Sequence, residues 1–433
     1  MILKLIIAAI LTGVISGFFI TMYELLITFV TYFLFMGNPL KTVATLPVWY
    51  LYLLPTLAIF IVNYLASKDN NIREYAVSEI AESILQNKMT LKLKTLFLKI
   101  IASTLSLSSG FMVGTEGPSA GIGAMIAYHI HRWFKLPSML IKMMISVGAS
   151  SGIAAIFVSP LTGIIFAVEH IAYQFIKQYI GYLIVASVVA FALSVQFLEP
   201  IVFRHSLGRS FNGGYILVDL LFIPFITFFI YFYLFFKKRL LHFIDLEIFK
   251  SLSRYRNVIF SLIGGGVVGT ILLIEPRAAF SGKDIVIYLI NQQTHISLWF
   301  IFMLIILRIV GTTVSIYANA VGGLFLPLMS LGALIGYGFG ELVAIYGMVP
   351  IEPFYFAAIG ASVFMGVIMK LPLTAVILAV ETTFDYNVVV ATGVTVVLVE
   401  YLSSLHFDIR KKYVVRADKI TNKKVKGKTE NIE

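Results

Sequence analysis

Two short motifs set polar and backbone chemistry inside apolar sequence: Gly114-Thr115-Glu116-Gly117-Pro118 and Gly322-Gly323-Leu324-Phe325-Leu326-Pro327. Glycines permit a sharp turn, and proline suits the first turn of the helix that follows. A helix that starts this way leaves backbone N–H groups free, in the second motif those of Leu324 and Phe325. They lie at the positive end of the helix dipole, and such an end binds anions. Two helix starts aimed at one point make an anion site without a formal cation, and weak binding is what permeation needs. Glu116 stands inside the first turn. An ionisable residue at the bilayer centre costs at least about 2.5–3.5 kcal/mol, so it is read as functional. Its carboxylate would compete with the anion and protonation would free the place, which is a physical route to coupling anion and proton movement. Glu169 and Glu381 close two matched segments, PLTGIIFAVE (160–169) and PLTAVILAVE (372–381), and their repetition points to a structural role in pairing with backbone or a basic group. His170 follows Glu169, and a histidine at a membrane boundary can relay protons. His129 and His131 are two apart and face different sides of a helix, which disfavours a zinc site. No nucleophile–base set or phosphate-binding loop stands out, so no enzyme is expected.

The elements that must hold these groups are membrane helices. Of 433 residues, 59% are hydrophobic and 13% charged, against roughly 45–50% and about 25% in soluble domains. The apolar residues come in blocks, most long enough to span a bilayer, several of them interrupted by Gly or Pro. Interrupted spans are tolerated where the freed backbone meets protein or lines a water-filled path. The first block (Leu5 to Ile20) continues past Glu24 and reads as a retained helix rather than a cleaved signal. The chain has no cysteine, which removes disulfides and thiolate chemistry. The net charge of +11 is concentrated at 237–256, with six Lys/Arg against two acids, and at 406–433, with nine against four. Both flank apolar blocks and read as cytoplasmic ends, not as a nucleic-acid surface. The polar stretch 67–92 suggests a short amphipathic helix.

An internal repeat is the most informative pattern. Residues 146–169 and 358–381 share 11 of 24 positions without a gap, at an offset of 212. Upstream, Pro118/Pro327, Gly123/Gly332 and Tyr128/Tyr337 match at an offset of 209. Homologous halves with broken helices in corresponding places mark a secondary transporter or a related channel.

With these residues in view, the chain resembles the CLC family of chloride channels and proton/chloride antiporters, of the prokaryotic type without CBS domains. GTEGP resembles its GREGP motif with Thr115 in place of Arg, GGLFLP resembles its GxFxP motif, and the two PLT segments resemble its paired helices. The resemblance implies an all-α polytopic fold of two inverted halves with broken, tilted helices over residues 1–410. The first half is about 1–200, a linker about 237–256, and the second half about 257–410, with a basic cytoplasmic tail at 411–433. It implies a homodimer with one pore per subunit, multi-pass in the cell membrane with both termini cytoplasmic, exchanging chloride and protons. Bound chloride is expected, and no cofactor, metal or nucleic acid.

By that resemblance Glu116 is the gating and proton-exchanging glutamate, and the anion is held by Tyr75, Ala76, Val77, Gly117, Leu324, Phe325 and Phe407. Three departures qualify it. The first anion-binding turn appears as Glu74-Tyr75-Ala76-Val77-Ser78, without the family's glycines and proline. Phe407 takes the place of a pore tyrosine, with His406 as the neighbouring alignment, and offers no hydroxyl donor. His170 takes the place of the inner proton-transfer glutamate, and His170 and Glu169 are the candidate inner proton relay. Chloride/proton antiport is the leading expectation. A passive voltage- or pH-gated chloride channel of the same fold is the alternative, and a fluoride/proton antiporter a weaker one.

Overall fold

The computed structural model describes residues 1–69, 72, 93–170, 176–200, 213–244, 256–290, 295–347 and 352–403. Tyr75, Ala76, Val77, His406, Phe407 and the tail 411–433 lie outside the described residues, as do residues 73–92 and the side chain of His170. The described residues fold into helices: α1 Ile2–Leu34, α2 Pro39–Thr42, α3 Val48–Lys68, α4 Leu93–Ser108, α5 Glu116–Trp133, α6 Ile141–Phe157, α7 Pro160–His170 and α8 Ile176–Ser194. The second half follows with α9 Gly213–Ile244, α10 Arg256–Ile274, α11 Lys283–Ile290, α12 Leu298–Tyr317, α13 Phe325–Ile345, α14 Pro353–Met369, α15 Pro372–Thr383 and α16 Val388–Ser403. Among the described residues, seven helices are long and apolar enough to cross a bilayer, and five more apolar helices have only 10–17 residues. The chain is a multi-pass integral membrane protein. An 11-residue helix such as α7 reaches about 16 Å, half of a hydrocarbon core of about 30 Å, so the short helices meet other protein at mid-depth. α9 runs on through Lys237, Lys238 and Arg239, so the first basic cluster rides on a helix end.

The repeat is visible as geometry. Val158 and Lys370, 212 apart, end α6 and α14 in the left-handed region, with φ of 51° and 60°. A β-branched residue does not adopt that conformation for local reasons; the tight turns into α7 and α15 impose it. In each half the two helices after the broken turn cross where glycines meet. A Cβ on Gly123 would strike the Gly148 carbonyl, and one on Gly332 the Gly360 carbonyl. Small residues that let backbones touch are how helices associate where lipid offers no hydrophobic drive. Phe364 packs against the second of these crossings, and Phe111, Phe166, Phe222 and Phe356 are likewise fully buried.

Candidate anion and proton site

The two broken turns meet at one point. The Gly114 N–H donates to the Gly323 carbonyl and the Gly323 N–H to the Gly114 carbonyl, both at 2.7 Å, an antiparallel bridge in which the segments pass in opposite directions. The turns are pinned from both sides by the same device. The Met112 N–H donates to Ser315 Oγ, and the Val321 N–H to Ser106 Oγ, each at 3.0 Å. Every partner has its repeat counterpart 209 residues away, so a pseudo-two-fold axis runs through the bridge. Irregular backbone at membrane depth must be satisfied by protein, and here each half satisfies the other.

Glu116 is the first residue of α5 and is 1% exposed. Its Oε1 accepts from the N–H of Phe325, the first residue of α13, and the Leu326 N–H and Glu116's own N–H also face the carboxylate. Oε2 is enclosed without a hydrogen-bond partner among the described residues. A Cβ on Gly114 or Gly323 would collide with the carboxylate oxygens; glycine is required at both places because the side chain lies across them. Gly117 packs against Gly322 and Gly323. The carboxylate therefore sits at the positive end of α13, where an anion would bind. The facing amides are those of Phe325 and Leu326. Leu324 precedes them as the residue before the helix, and its carbonyl accepts from the Leu328 N–H at 3.0 Å. These two amides face the carboxylate, while the Leu324 N–H, just ahead of the helix, likewise has no intrahelical acceptor. Below it the Phe325 ring packs on Phe157, centroids 4.4 Å apart, and on Phe166 at 6.2 Å, closing one side with apolar surface.

A second reciprocal pair lies at the starts of α7 and α15. Glu381 accepts from the N–H groups of Leu161 at 3.0 Å and Thr162 at 2.7 Å and from the Thr162 hydroxyl at 2.6 Å, with Ser159 Oγ as a further donor. Glu169 accepts from the N–H groups of Leu373 and Thr374, both at 2.9 Å, and from the Thr374 hydroxyl at 2.7 Å. Each carboxylate caps the other half's helix, satisfying N–H groups that no helix can satisfy itself. Glu169→Gln and Glu381→Gln should therefore destabilise the protein alike, by about 1–3 kcal/mol each, since a charged acceptor is lost from a part-buried helix start. Thermal unfolding in detergent checks this; a large loss for one variant and none for the other would contradict the shared role.

Arg308 is a structural tie that the motifs do not reveal. It is fully buried in α12. Nη1 donates to the carbonyls of Ala278 at 3.2 Å and Phe280 at 2.8 Å, and Nη2 to the Ser281 carbonyl at 2.9 Å and Ser330 Oγ at 2.7 Å. It ties the loop before α11 to α13. A charge inside an apolar span is a signal in the sequence, but backbone-carbonyl partners leave no pattern to find.

Comparison with known proteins places this geometry. Residues 56–404 match the family model described as voltage gated chloride channel. An H(+)/Cl(-) exchange transporter ClcA of Vibrio parahaemolyticus is 26% identical over 405 residues, 90% of this chain and 85% of the relative. One of Vibrio vulnificus strain YJ016 is 26% identical over 309 residues, and that match spans 67% of this chain and 62% of the relative's length. The fold is similar to a slow cyanobacterial Cl−/H+ antiporter, with TM-score 0.81, 20% identity and 93% and 94% of the two chains covered. It is also similar to a CLC-type fluoride/proton antiporter, with TM-score 0.74, 17% identity and 93% and 95% covered.

Proposed function

The chain belongs to the voltage gated chloride channel family, and we propose that it exchanges chloride for protons, with Glu116 as the residue at which the two ions meet. The observation that carries this reading is the hydrogen bond from the Phe325 N–H to Glu116 Oε1 at the start of α13. A carboxylate and a chloride compete for the same amides. Protonation removes the negative charge and weakens the acceptor, so the side chain leaves as the anion arrives. Neutral amides hold the anion without a counter-charge, loosely enough to release it. Named relatives that exchange protons and chloride support the same assignment. Chloride is cargo here, and no resident cofactor is required by the chemistry.

Three parts of the reading rest on the family resemblance: a homodimer with one pathway per subunit, residence in the cell membrane, and cytoplasmic termini beside the basic segments. Tyr75, Ala76, Val77 and Phe407 complete the anion path and His170 carries protons at the far end in the same reading. Glu169, with both oxygens engaged at α15, serves as the neighbour that fixes this end.

The test uses purified protein in chloride-loaded liposomes, with chloride efflux and external pH recorded together. A chloride gradient that drives protons uphill supports exchange. Chloride efflux without proton movement would show a passive channel instead, and fluoride displacing chloride at equal concentration would reassign the anion.

A further inference from the structure

Between the second half of α1 and the start of α11 lies a cavity of about 280 Å³, room for several water molecules at about 30 Å³ each. It is lined by Glu24 and Tyr32 of α1, by Ser281, Lys283 and Asp284, and by Thr115. Thr115 immediately precedes Glu116, so the cavity reaches to within one residue of the exchange carboxylate. Glu24 is the sole acid of the 33-residue apolar helix α1. Its Oε2 is enclosed and makes no hydrogen bond among the described residues. It caps no helix and forms none of the described ion pairs. An acid in a membrane span whose enclosed oxygen meets no hydrogen-bond donor among the described residues is read as part of an ion or proton pathway.

Its surroundings suit a proton that comes and goes. Lys283 faces Glu24 from α11, with Asp284 beside it and Arg308 behind Asp284. Tyr23, the next residue on α1, donates to Ser103 Oγ at 2.8 Å and lies within electrostatic reach of both Glu24 and Glu116. Tyr32 lines the same cavity from α1.

We propose that Glu24 is a second proton-carrying carboxylate of the exchange, loading protons from the water of this cavity and passing them to Glu116. Hydronium gives its proton to the Glu24 carboxylate and leaves as water. The acid then gives the proton through cavity water to the Glu116 carboxylate and returns to its charged form. The inference rests on the exchange reading above and adds to it the residue that supplies the proton.

The experiment measures proton and chloride flux together in liposomes for the wild type, Glu24→Gln, Glu24→Asp and Lys283→Met, across pH. Glu24→Gln should lower proton flux by about a hundredfold, the low end of what a positioned proton-transfer group supplies, while chloride flux persists. Glu24→Asp should keep coupling. Lys283→Met leaves α1 untouched and should change the pH profile of exchange, because it removes the cation that faces Glu24 across the cavity. A coupled wild type beside an equally coupled Glu24→Gln would overturn the assignment, as would an unmoved pH profile in Lys283→Met if the glutamine variant does not fold. A wild type that moves chloride without protons would remove the exchange reading, and the assignment with it; that outcome is distinguished because the wild type itself is uncoupled.

Discussion

Glu116→Gln abolishes proton coupling while chloride flux persists, and Glu116→Ala does the same with faster chloride flux than the glutamine variant. The expectation follows from what fills the space at the start of α13. Glu116 Oε1 takes the Phe325 N–H, and the carboxylate lies across Gly114 and Gly323. Glutamine keeps a carbonyl oxygen able to accept the same N–H, so it still occupies the place, but it binds no proton at working pH. Alanine empties the place and leaves the amides to the anion. Proton flux should fall by at least about a hundredfold in both, the low end for loss of an essential proton-transfer group. Paired flux recordings in liposomes check it. Proton coupling that survives in Glu116→Ala would contradict the role given to this residue.

The second large effect is structural. Arg308→Leu should destabilise the protein by more than about 3 kcal/mol, because several buried acceptors lose a charged donor at once, each at roughly 1–3 kcal/mol. The guanidinium spans the carbonyls of 278–281 and Ser330 Oγ, and Ser281 is part of the wall of the cavity beside Thr115. Arg308→Lys should recover little, since one compact ammonium cannot serve both the loop and Ser330 in the planar fork that arginine supplies. Thermal unfolding in detergent is the measurement. A leucine variant as stable as the wild type would show that this loop is held by something else.

The helix starts at Glu116 and near Phe325 were legible because glycine and proline punctuate apolar sequence, and because the second start repeats the first. What the sequence could not show is which amides the carboxylate itself takes, those of Phe325 and Leu326. Glu169 and Glu381 were visible as a repeated pair, yet their partners lie more than 200 residues away at the opposite helix start. Ser106 and Ser315 were hidden for a different reason. A serine in an apolar helix ordinarily bonds its own preceding turn, as Ser106 also does to Ala102, and nothing local announces that its oxygen also receives Val321 from the other half. Glu24 and Arg308 carried the same signal as Glu116, a charge within a span. Without a motif around them, only the cavity and the carbonyl cage give that signal a meaning.

The central claim is that Glu116 and a transported anion occupy one place at the start of α13. Crystals of Glu116→Ala grown in bromide, examined by anomalous scattering, test it most directly. The expected result is a bromide peak at the Phe325 and Leu326 amides, absent from the wild type at a pH where Glu116 is charged. Bromide bound elsewhere in the protein, with those amides empty in the alanine variant, would contradict the claim.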